Sequence, residues 1–140
     1  MTATTLPVPS TRRTADAKAL WKAGAVSGLA ASAATATLAA TAHEAFDVSL
    51  RVGGQAIPVI AFAQVTFVTA LIGTVIAVVM SHRAARPART FTITTIALTL
   101  VSLVPDALAD AGSATRFTLA LTHVVAAAIV ISELASRLSD

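Results

Sequence analysis

The stretch Pro105-Asp106-Ala107-Leu108-Ala109-Asp110-Ala111-Gly112-Ser113-Ala114-Thr115-Arg116-Phe117-Thr118-Leu119-Ala120-Leu121-Thr122-His123 decides how this chain is read. It begins where one long apolar run ends and finishes inside the next. Two carboxylates, one guanidinium and one imidazole therefore lie beside runs of Ala, Val, Leu, Ile and Thr. Ionisable groups are expensive inside a bilayer, and those kept there mark function or helix packing.

Composition identifies the surroundings as lipid. Of 140 residues, 56% are hydrophobic and only 12% are charged, and the mean hydropathy is +0.80. A soluble domain carries about 25% charged residues. This chain therefore has too little ionic surface to face water, and its expected partner is the lipid bilayer. The length predicts one domain. The net charge of +3 comes from short basic clusters between apolar runs. That pattern orients a chain in a membrane and contacts headgroups, and it argues against nucleic-acid binding. The absence of cysteine excludes disulfides, thiolate metal sites and Cys catalysis.

Before the central stretch, residues 90–108 read as a membrane span. Thr92, Thr95, Thr99, Ser102 and Asp106 fall at spacings of three and four, so they form one helical stripe. Pro105 predicts a kink or helix end. The stripe is either a harmless row of hydroxyls bonded to their own helix or a polar seam facing other helices. After the stretch, residues 115–134 form a further span, with Arg116, Ala120, His123 and Ala127 on one face. Glu133 is placed to pair with Arg137 four residues on.

Further upstream, His82, Arg83, Arg86 and Arg89 make a short basic loop, the clearest orientation signal in the chain. Residues 58–80 are the most apolar span. As a helix they cover about 34 Å, enough to cross a hydrocarbon core of about 30 Å. Gln64 lies about 9 Å inside that span, and Thr66, Thr69, Gly73 and Ala77 share one small-residue face. Residues 43–57 are a polar connection with a turn at Gly53-Gly54. Val48 to Val52 reads as a short strand or a loop lying on the headgroups. Residues 21–42 form the first span, with Trp21 as an interfacial anchor. Its Gly24 and Gly28 make a GxxxG pattern that permits close helix packing, and they offer a contact for a homo-oligomer. Ala40-Thr41-Ala42 also fits the cleavage site of a secretory signal. Residues 1–16 are expected to be a flexible cytoplasmic tail.

The fold class predicted is all-α, an integral membrane bundle of four antiparallel helices with both termini in the cytoplasm. Arg12, Arg13, Lys18, Lys22, Arg83, Arg86, Arg89 and Arg137 then share the cytoplasmic side. His43, Glu44, Asp47, Gln64, Asp106, Asp110, Arg116 and His123 gather at the outer ends.

Three uses of that outer cluster compete. Asp106 or Asp110 pairs with Arg116 while His123 hydrogen-bonds across the bundle, fixing helix register. Alternatively, His123 and Asp106 form a protonatable pair in a site for a small molecule or protons. Asp106, Gln64 and the Thr/Ser stripe are the candidate partners for His123. Lastly, His43, His123 and the carboxylates are candidate ligands for a metal or haem. No HxxxH or HxxEH spacing is present, so no metal site, cofactor or catalytic residue is assigned. Phosphate-binding glycine loops and GxSxG are absent as well.

Pro105-Asp106 after a Thr-rich helix, then Arg116, then His123 in an Ala/Val-rich last helix, resembles a family of small four-helix membrane proteins from actinobacteria. That family is of unknown function. The resemblance covers most of residues 20–138 and implies the plasma membrane, with no reaction, cofactor or partner. It says nothing of His43 or Gln64. The resulting expectation is a non-enzymatic membrane protein with an outward-facing polar pocket for a small ligand, or a structural or partner role. The alternative is a membrane-embedded enzyme or transporter subunit that uses His123 and Asp106 for proton transfer, or binds metal or haem.

Overall fold

Alanine is the strongest helix former, and the Ala-rich N-terminal region forms α1, Ala17–Phe46. Asp16 caps it, accepting a hydrogen bond from the Lys18 amide at 3.0 Å. The structure is a computed structural model and describes residues 15–138. Most of the expected N-terminal tail, residues 1–14, lies outside the described residues. At its far end α1 runs past Ala42 to Asp47, which adopts a left-handed conformation with φ 53°. No glycine or proline interrupts His43-Glu44-Ala45-Phe46, so the helix stops only where a residue that tolerates this conformation occurs. His43 and Glu44 therefore sit on the last helical turn and not in the loop.

The connection that follows contains a minimal hairpin, β1 (Arg51–Val52) and β2 (Gln55–Ala56), paired Arg51 with Ala56 and Val52 with Gln55. Gly53 and Gly54 turn it with φ of 55° and 77°. Two successive positive φ values define a type I′ turn, which glycine enters without a steric penalty. The Gly53 amide donates to the Asp110 carbonyl at 2.8 Å. The hairpin and the connection before the last helix are thereby tied together at one end.

Three more helices complete the chain: α2 (Val59–Arg83), α3 (Pro87–Leu108) and α4 (Ser113–Arg137). Pro87 occupies the first turn of α3, where its missing amide costs nothing. Pro105 lies in the final turn, and α3 ends three residues beyond it, at Leu108. All four helices are long and apolar enough to cross a membrane, the arrangement of a multi-pass membrane protein.

The packing is uneven. Helix α1 is the most buried, lying against α2 and α4, while α3 leans mainly on α4. Glycine explains the closest approach. A Cβ on Gly24 would fall 1.9 Å from Thr74 Oγ1, and one on Gly28 would fall 3.1 Å from the Ala70 Cβ. The GxxxG face is thus filled by α2 of the same chain. The main core joins Leu20, Ala23, Ala77, Phe91, Val130 and Leu134, and a smaller cluster of Ala39, Leu50 and Phe62 lies under the hairpin. The opposite faces of α2 and α3 leave Val68, Val75, Val79, Leu100, Val101 and Val104 exposed. Lipid chains cover such faces without the cost of hydrating them.

Candidate functional site

Asp106 and His123 meet between α3 and α4. Asp106 Oδ2 lies 2.8 Å from His123 Nδ1. The same nitrogen is 3.0 Å from the Leu119 carbonyl, one turn back on α4. Two acceptors therefore lie beside Nδ1, so this nitrogen carries the proton. The N–H is directed at the carbonyl, while Asp106 Oδ2 is buried without a well-directed donor of its own. The imidazole is thus held from two helices at once, with its Nε2 edge left for another partner.

His123 also lines a cavity of about 460 Å³ between α2, α3 and α4, within the size range of small-molecule sites. The cavity exists because α3 packs closely on α4 but only loosely on α2. Ile57 and Leu119 line it toward the hairpin, whereas Ile76, Phe91 and Val130 line it toward the α2–α3 loop. Its polar atoms besides His123 are hydroxyls of Thr66, Thr69, Thr95, Thr99, Ser102 and Thr122.

Each of these hydroxyls already has a hydrogen-bond partner. Thr95 donates to the Phe91 carbonyl at 2.7 Å, Thr99 to Thr95 at 2.8 Å, and Ser102 to Thr99 at 2.7 Å. Thr69 donates to Val65 at 2.8 Å and Thr122 to Leu119 at 2.7 Å. Thr66 Oγ1 lies 3.0 Å from Thr35 Oγ1 on α1, a hydrogen bond between two hydroxyls that either can donate. The two uses foreseen for the α3 stripe coexist. Its hydroxyls are bonded to their own helix, and three of them line the cavity.

The remaining polar residues of the expected cluster lie elsewhere. Asp110 and Arg116 are exposed; Asp106 instead lies beside His123, and Glu133 pairs with Arg137 at 2.7 Å. The expected Arg116 pairing with Asp106 or Asp110 is not formed; His123 takes that place beside Asp106. His43 is exposed, with Nδ1 3.0 Å from the Val48 carbonyl, so it helps to close the end of α1. Glu44, Asp47 and Gln64 are exposed and do not line the cavity. Gln64 therefore does not serve His123. Among the described residues, no three His, Cys, Asp or Glu side chains converge as a metal site would need.

Sequence reasoning missed the α2 and α4 hydroxyls as cavity residues. Of the small-residue face Thr66, Thr69, Gly73 and Ala77, the first three line the cavity and Ala77 lies in the core. Thr122 carried no signal beyond its position next to His123. No curated protein and no solved structure matches the chain. A family model covers residues 15–140, and the chain belongs to that family of unknown function, DUF6069.

Proposed function

We propose that this is a non-enzymatic protein of an actinobacterial plasma membrane, whose α2–α3–α4 cavity holds a small ligand. In this reading the four helices run antiparallel, with both termini cytoplasmic and the hairpin outside. The charge distribution supports that orientation, since basic residues cluster at the termini and the α2–α3 loop. The central position of α1 in the packing supports its retention as a span. The observation that carries the ligand reading is the dual placement of His123. It borders the cavity and is anchored by Asp106 from a second helix. A side chain needed only as helix glue has no reason to border open space.

His123→Ala separates the two roles. Ligand binding predicts a small-molecule adduct in native mass spectra of the wild type, absent from a variant that keeps its Tm in detergent. A large fall in Tm with no adduct in either protein would make the pair structural. The 2.8 Å approach of Asp106 to His123 also favours a second reading, proton transfer through the two in an enzyme or transporter subunit. That reading predicts proton flux in proteoliposomes that His123→Ala abolishes.

A further inference from the structure

The cavity's hydrogen bonding has a direction. A hydroxyl has one proton and two lone pairs. Five of the six lining hydroxyls direct the proton to a carbonyl of their own helix, at 2.7–2.8 Å, and the sixth, Thr66, is engaged with Thr35 Oγ1. What they turn to the cavity is lone pairs. A ligand that only accepts hydrogen bonds would have to break one of these bonds first; a ligand that donates meets acceptors already in place. The His123 tautomer with its proton on Nδ1 leaves Nε2 as one more acceptor.

Position along the cavity adds a second constraint. Thr99, Ser102, Thr122 and His123 lie in the part nearer the hairpin, and Ile76, Phe91, Val130 and Ile131 line the other end, where the Thr95 hydroxyl is bonded to the Phe91 carbonyl. No carboxylate, Lys or Arg lines the space. Charged headgroups are therefore unmatched, and phosphate or ester oxygens would face lone pairs.

We propose that the cavity takes a neutral, single-tailed alcohol or phenol, with its hydroxyl donating among Thr99, Ser102, Thr122 and His123 and its apolar tail toward Phe91 and Val130. This rests on the ligand reading above and specifies its chemistry. An ether or ketone of the same shape binds less well, because it brings no donor.

The test uses the full chain in nanodiscs and a 4-alkylphenol with a diazirine in its tail. After irradiation, mass spectrometry maps the adducts, and unlabelled 4-octylphenol and its methyl ether compete. The expected result is saturable labelling at Ile76, Phe91 or Val130, with the phenol competing at about tenfold lower concentration than the ether, the size of one net hydrogen bond. In Thr99→Val/Ser102→Ala, labelling persists and that preference shrinks. Saturable labelling with equal competition would keep the site and overturn the donor preference. Labelling that does not saturate, as for bulk lipid, would overturn the site as well.

Discussion

Gly24 is the position where one atom matters most. Adding a methyl group there meets the Thr74 side chain at 1.9 Å, whereas at Gly28 the nearest contact is 3.1 Å. Overpacking of a fitted contact costs about 1–3 kcal/mol. Gly24→Ala should therefore lower stability by about that amount in an SDS-unfolding titration, and Gly28→Ala by clearly less. Equal effects would show that α1 and α2 do not approach as described. The hydroxyls divide in the same way. Thr35 joins Thr66 across helices, while Thr95 bonds only within α3. Interhelical hydrogen bonds in membranes average about 0.6 kcal/mol. Thr35→Val should cost about that much, and Thr95→Val, of similar shape, close to nothing. The GxxxG spacing was plain in the sequence. Its partner was not, since Ala-rich faces fit many neighbours and only the packed chain selects Thr74 and Ala70.

Among the elements, the hairpin is the most sharply specified. Gly53 and Gly54 both have positive φ, and side-chain-bearing residues pay a steric penalty there. Gly53→Val/Gly54→Val should unfold the hairpin and break the Gly53–Asp110 hydrogen bond, seen as faster amide exchange at both connections with the helices intact. Unchanged exchange would mean that the tie is unimportant. Helix positions were legible from apolar run length, because a bilayer demands long uninterrupted segments. The end of α1 was not, since a left-handed aspartate leaves no signal as strong as glycine or proline. Of the outer polar residues, Asp106 and His123 meet and Arg116 does not join them. Spacing along one helix is readable from sequence, but the rotation of α3 against α4 is set by packing. The cavity was illegible for the same reason, being the space α3 leaves by lying closer to α4 than to α2.

For the whole protein in lipid, function depends on which connections lie on which side of the bilayer. The chain has no cysteine, so single introduced thiols report cleanly. Gln55 in the hairpin and Ala85 in the α2–α3 loop are both exposed, and neither substitution alters the basic residues that set orientation. Signal cleavage after Ala42 would leave a shortened chain, whereas a retained α1 leaves the intact mass of its membrane domain, read on the same samples. The decisive measurement is labelling of Gln55→Cys and Ala85→Cys in intact cells with a membrane-impermeant maleimide. The prediction is that Gln55→Cys reacts from outside and Ala85→Cys reacts only after permeabilisation, with both proteins in the membrane fraction. The reverse pattern would contradict the orientation and close the cavity's hairpin end to the exterior, and recovery of either protein in the soluble fraction would contradict the membrane fold itself.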